Sequence, residues 1–204
     1  PLTFIQLIFP DTAGVEAVPS GPLHPAASTT YSAQLWNYIR RIQPHLWKQG
    51  DTFPQGVAQV HQLFVNGEID YTMSNNDGEV DNKVQQGLFP PTTKAYVPAF
   101  GSIRNSHYWG VAKHGAHKAA ALVAINFLMS PEAQRRKLRP AVWGDGTVLD
   151  VGTLDSTWQA RFDAAASREH VPPRETLRER ALAELAPEYM IRLSDDFRSE
   201  IIAP

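Results

Sequence analysis

Apolar positions recur along this chain with two different periods, and the changes of period mark its elements. Residues 1–9, PLTFIQLIF, are a short apolar run closed by Pro10, which predicts a buried strand. Residues 10–27 hold four Pro and two Gly and read as a loop. Leu35, Ile39, Ile42 and Leu46 then recur at helical spacing, with Ser28, Thr29 or Thr30 placed to cap the helix and Pro44 to end or kink it. Pro54 is expected to open a second helix carrying Val57, Val60, Leu63 and Phe64 on one face, with Gly67 at its C′ position. Ile69, Tyr71 and Met73 alternate, which predicts a strand over 68–74. A short polar helix in NDGEVDNKVQQG stops at Gly87, and KAYVPAF (94–100) and HYWGVAK (107–113) read as further strands. A helix is expected at about 116–129. After it, residues 131–139, 157–167 and 173–200 read as helix or loop, with no strand.

Strands alternating with helices predict an α/β sheet layered by helices. Ligands in such folds bind at loops beyond the carboxyl ends of strands, which directs attention to Ser74–Asp77. The run INFLMSPEAQRRK (125–137) breaks one helix and starts another. Ser130 can cap the second, Pro131 suits its first position, and Glu132 favours its positive end. Ala133 stands where a full capping box needs Glu or Gln.

Composition narrows the classes. With 204 residues, 43% hydrophobic and 20% charged, the chain can bury a real core as one large domain or two small lobes. Residues 1–110 carry 6 Lys/Arg and 8 Asp/Glu, and residues 111–204 carry 13 of each. Neither half has the basic balance that nucleic acid demands. The absence of Cys removes disulfides, thiolate metal sites and a Cys nucleophile. No apolar run is long enough to span a bilayer. The opening run lacks the basic flank and small-residue cleavage site of a signal peptide. The chain opens at Pro1 without Met, as a processed or partial chain does.

Enzyme signatures are sparse: G-x-S-x-G, H-E-x-x-H, Walker A and G-x-G-x-x-G patterns are all missing. His114 and His117 lie three apart and could share a helical face as metal ligands, but no third ligand is placed, and solvated surface histidines explain them better. SNNDGEV (74–80) gathers short polar groups where a strand meets a helix. It could offer N–H groups, amides and a carboxylate to a ligand, or simply cap the helix through Asn76 or Asp77. NSHYWG (105–110) sets aromatic faces at a strand start, where one of Tyr108 and Trp109 would otherwise be core. Trp143 precedes a Gly-Asp-Gly turn and could wall a pocket or cover a helix end. Ser28, Thr29 and Thr30 open a helix with three hydroxyls, suited to an anion; capping accounts for one of them.

AALVAINFLMSPEAQRRK resembles the segment near the end of bacterial extracellular solute-binding proteins, the receptors of ABC importers. PHLWKQGDTFP, LFVNGEIDYTMSNNDGEV, GLFPPTTKAYVPAFGSIRNSHYWGVAK and VWGDGTVLD follow in the order and spacing of a thiamine-type subgroup within the iron/thiamine/molybdate class. The likeness covers about residues 28–150. It implies a type II periplasmic-binding-protein fold of two α/β lobes. Residues 1–106 would then be the second lobe, and 107–204 the hinge strand and returning, mostly helical part of the first, whose opening third has no counterpart. It implies a receptor, not an enzyme, that captures a small solute in an interlobe cleft and delivers it to a membrane permease. A periplasmic or extracellular monomer follows, without cofactor, metal or nucleic acid, and compatible with a lipid anchor. By likeness, Ser74, Asn75 and Asn76 contact ligand, His107 and Tyr108 enter the hinge strand with the Tyr facing the ligand, and Trp143 stacks on a ring. Ser28, Thr29 and Thr30 would meet an anion. A thiamine-like cationic aromatic ligand would suit Tyr108 and Trp143, with Asp77 or Asp145 as its carboxylate. The family's double hydroxyl after the strand is replaced here by Asn-Asn-Asp, and a metal or oxyanion receptor of the same fold is the alternative. A hydrolase using His107 with Asp77 is a weaker reading, since no nucleophile motif accompanies it.

Overall fold

The structure, a computed structural model, describes residues 25–104, 106–165 and 168–202, with side chains in the first helix from Ser32 onward. The strand expected over 1–9 lies outside the described residues. The chain divides into two compact units, one of Pro1–Met73, Val97–Asn105 and Arg174–Pro204, the other of Ser74–Tyr96 and Ser106–Pro173.

In the first unit, helix α1 (Pro25–Ile42) ends before a 3-10 turn, Gln43–His45, that contains Pro44. Its Leu35, Trp36 and Ile39 are buried against Leu185, Tyr189, Leu193, Phe197 and Ile201. From Tyr189 onward the partner residues repeat every four positions because they lie along one face of helix α8 (Pro187–Phe197) and its π-helical extension, Arg198–Ile202, while Leu185 packs from just before the helix. Phe197 meets Phe53 edge-on at 5.2 Å and Trp36 at 6.3 Å. Helix α2 (Val57–Val65) begins three residues later than Pro54, at an extended Gly56. It ends in a Schellman motif: the Gly67 N–H reaches the Phe64 carbonyl at 3.0 Å and the Glu68 N–H reaches Leu63 at 2.9 Å, with Gly67 at φ 72°.

The expected strands over 68–74, 94–100 and 107–113 do not form. A strand exists only where a second backbone ladders onto it, and these segments find none among the described residues. Their polar groups are met singly: a His61 ring nitrogen bonds the Met73 carbonyl at 3.0 Å, and the Ala95 N–H donates to the His170 carbonyl at 2.7 Å. Tyr71 and Tyr96 are left exposed. The sheet that does form is a parallel pair in the first unit, β1 (Ser102–Ile103) with β2 (Ala181–Leu182), in register Ser102–Ala181 and Ile103–Leu182. The second strand corrects the reading of 173–200 as strand-free. Gly101, at φ 109°, lets β1 approach, since a Cβ there would lie 2.8 Å from the Arg180 carbonyl oxygen.

The second unit contains helices α3 (Glu79–Gln85), α4 (Lys118–Leu128), α5 (Pro131–Leu138) and α6 (Ser156–Ala165); α7 (Arg174–Glu179) belongs to the first. Leu138, Phe162 and Ala165 form its buried cluster, with Leu149, Val151, Leu154 and Trp158 packed around it. Gly87, at φ 69°, stops α3 as expected. The α4–α5 corner follows the sequence: Ser130 is the N-cap and accepts the Ala133 N–H at 3.3 Å, and Pro131 holds the first helical position. Helix α4 is apolar yet has no buried residue, and Leu122, Val123 and Phe127 are exposed.

Candidate functional site

Two loops of the second unit meet. The first, residues 74–78, leads into α3; the second, residues 142–146, leaves α5. Asn76 joins them: its Nδ2 donates to the Trp143 carbonyl at 3.2 Å, while its Oδ1 accepts the Gly78 N–H at 3.0 Å in an Asx turn. Asn82, buried on α3, donates to the Pro140 carbonyl. Gly78 and Gly144 allow the backbones to touch. A Cβ on Gly78 would fall 1.9 Å from the Gly144 oxygen, and one on Gly144 would fall 2.9 Å from the Gly78 oxygen.

The second loop is built from the end of its helix. The Trp143 N–H donates to the Arg139 carbonyl at 3.0 Å, and the Gly144 N–H to Lys137 and Arg139, each at 3.0 Å. Gly144 takes φ 79° to do so, a conformation cheap for glycine. Buried Gln134 holds the loop from behind. Its Nε2 donates to the last α4 carbonyl, Leu128, at 2.8 Å, and its Oε1 accepts from the Thr147 hydroxyl at 3.2 Å and the Val148 N–H at 3.3 Å.

Ser74 is exposed but engaged locally: its hydroxyl accepts the Asn76 N–H at 2.9 Å and bonds Glu79. Asn75 is exposed. Asp77 is paired with Arg168, Nη1 to Oδ2 at 3.0 Å, the Arg168 side chain 12% and the Asp77 side chain 23% exposed. Asp145 is paired with Lys137 at 3.3 Å and also accepts the Gly146 N–H at 3.0 Å. The Lys137 ammonium also lies 5.4 Å from the centre of the Trp143 ring, which is 48% exposed. Asp77 and Asp145 are therefore each matched by a cation of the same unit, and the Asn75 amide and part of the Trp143 indole face outward, beside the exposed but hydrogen-bonded Ser74.

The remaining expected residues stand apart from this junction. His107 and Tyr108 are exposed, Tyr108 at 91%, on a segment without regular secondary structure, and take no part in the contacts joining the two loops. Helix α1 begins at Pro25, so Ser28, Thr29 and Thr30 fall about a turn inside it rather than at its start, and their side chains lie outside the described residues. His114 and His117 are exposed, His117 at the N-cap of α4. Among the described residues no group of three or more His, Asp or Glu could hold a metal ion, and no helix is long and apolar enough to cross a membrane.

Sequence reading missed Lys137, Arg168 and Gln134. Lys137 is one of several cations in the basic last turn of a helix, and Gln134 falls within a helix corner whose signals are Ser130 and Pro131. Arg168 left no signal, because its partner lies 91 residues away.

The model of the family described as bacterial extracellular solute-binding protein matches residues 6–135, more than half of the chain. This chain belongs to that family. It is 33% identical over 144 residues to "Protein YnjB" of Escherichia coli (strain K12), a match covering 71% of this chain and 36% of that protein. The chain thus spans little more than a third of the length of the curated relative it matches. No solved structure matches significantly.

Proposed function

We propose that the protein is the solute receptor of an ABC importer, capturing a small molecule outside the cytoplasm and handing it to a membrane permease, with residues 74–77 and 143–145 at the place of capture. One observation carries the reading: in a chain of the solute-binding family, two loops 67 residues apart are joined by Asn76 at the Trp143 carbonyl, beside an exposed Asn75 and a half-exposed indole. An indole face and an amide together suit a ring-bearing solute, one by stacking and the other by hydrogen bonding. His107 and Tyr108 are proposed as further contacts, and Ser28, Thr29 and Thr30 as anion contacts. The activity proposed is binding, as the solute-binding family suggests, and the hydrolase reading is disfavoured because Asp77 is engaged by Arg168 and so is poorly placed to serve His107 as a catalytic partner.

A thiamine-like cationic aromatic solute is the leading ligand, supported by the family resemblance and by the attraction of an indole for cations. A metal or oxyanion receptor is the second reading. Its oxyanion form is favoured over its metal form by the pairing of Asp77 and Asp145 with Arg168 and Lys137, which leaves less unmatched negative charge to draw a cation. A thermal-shift screen against thiamine, its phosphates, Fe(III), molybdate, polyamines and sugars separates these, since a ligand that binds only the native state raises stability by mass action. Trp143→Ala should weaken binding of the hit at least tenfold by calorimetry. Unchanged affinity removes Trp143 from the site, and a panel without any stabilising compound counts against the receptor reading.

A further inference from the structure

Residues 168–172 follow α6 in a stretch that the sequence reads only as tail, yet three consecutive residues of it are pinned to the segment that carries the first loop. Arg168 donates through Nε to the Pro172 carbonyl at 2.8 Å, which folds the stretch on itself and orients the guanidinium plane. The same plane then reaches Asp77 twice, from Nη1 to the carboxylate Oδ2 at 3.0 Å and from Nη2 to the main-chain carbonyl at 2.9 Å. Next in sequence, the Glu169 and His170 N–H groups donate to Asp81 Oδ1 at 3.3 and 2.8 Å, and Asp81 is only 4% exposed. The His170 ring Nδ1 bonds the Thr93 carbonyl at 3.0 Å.

Arg168 thus holds both the side chain and the backbone of Asp77, the residue immediately before the glycine whose main chain touches Gly144. A lysine could not reproduce this arrangement: an ammonium is a point charge, whereas the guanidinium offers several donors in one fixed plane. We propose that Arg168 is a positioning residue of the solute site, clamping the foot of the 74–77 loop through Asp77, and that Asp77 is its anchor rather than the counter-charge of the solute. The inference rests on the reading of residues 74–77 and 143–145 as the place of capture. Arg168 touches no solute and acts only through the loop.

The test needs no identified ligand. Amide hydrogen exchange is compared, residue by residue, in the wild-type protein, Arg168→Lys, Arg168→Ala, Asp77→Ala and the double variant Arg168→Ala/Asp77→Ala. Arg178→Ala, which removes an exposed Arg–Glu pair, serves as the charge control. In both Arg168 variants exchange at residues 76–79 rises at least tenfold, amides around Leu138 and Phe162 keep their protection, and the control matches wild type. The Arg168→Ala effect vanishes in the Asp77→Ala background. Unchanged exchange at 76–79, an equal rise throughout the second unit, or effects that simply add in the double variant would each overturn the proposal. Thiamine titration of the same proteins separates the two readings. Lack of binding by the wild type counts against the thiamine assignment, while the exchange pattern still decides the role of Arg168.

Discussion

Replacing Gly78 by Ala drives a methyl group into the backbone of the facing loop. The new Cβ would stand 1.9 Å from the Gly144 oxygen, 2.8 Å from its carbonyl carbon and 3.2 Å from its Cα, where ordinary contact begins at 3.4 Å. The loops must therefore part by about 1.5 Å, the difference between 3.4 and 1.9 Å. Neither can yield by turning a side chain, because all three obstructing atoms are main chain. Gly78 has φ −118°, so the penalty is steric and not conformational. Overpacking of this kind costs about 1–3 kcal/mol. The Asn76–Trp143 hydrogen bond, already 3.2 Å long, does not survive the separation and adds roughly 1 kcal/mol. Urea unfolding should accordingly show a loss of roughly 2–4 kcal/mol for Gly78→Ala. Gly110→Ala has nothing within 4 Å of its new Cβ and should stay within about 0.5 kcal/mol of wild type. If Gly78→Ala proves as stable as Gly110→Ala, the two loops are not in backbone contact and the site described above is not assembled in this way.

In the first unit, Leu193→Ala empties a position that is 2% exposed and should destabilise by about 2–5 kcal/mol in calorimetric unfolding; a loss below 1 kcal/mol contradicts the α1–α8 packing. Ser130→Ala removes the one side-chain cap of α5 and should cost about 1 kcal/mol by the same measurement, with Ser130→Thr recovering most of it.

What was legible in the sequence was local. Gly67 and Gly87 mark helix ends because a left-handed residue closes each helix within a turn, and Ser130–Pro131 marks a helix start for reasons contained in four residues. The strands over 68–74, 94–100 and 107–113 were not legible in the same sense. Alternation records a preference for extended backbone, but a ladder depends on a second segment that the alternating residues do not specify. The observed strands show the converse: Ser102–Ile103 and Ala181–Leu182 are two residues each, too short for any period, and their pairing is permitted by the close approach at Gly101. The site divides likewise. Ser74–Asp77 and Trp143–Asp145 could be singled out as polar and aromatic groups on loops. That Asn76 would bond the Trp143 carbonyl, or that Arg168 and Lys137 would take up the two carboxylates, depends on the fold bringing distant residues together.

The meeting of Gly78 and Gly144 also divides the site into what can change and what cannot. Any residue with a Cβ at either position collides with main chain, so these two places are closed to variation. Asn75 and Trp143 stand beside them with their side chains wholly or partly in solvent, and neither side chain is needed to keep the loops joined: the bond that Trp143 accepts is to its carbonyl, which every amino acid supplies. If residues 74–77 and 143–145 are the place of capture as proposed, a library randomised at 75 and 143 alone would sample new solute preferences while keeping the Gly78–Gly144 contact intact.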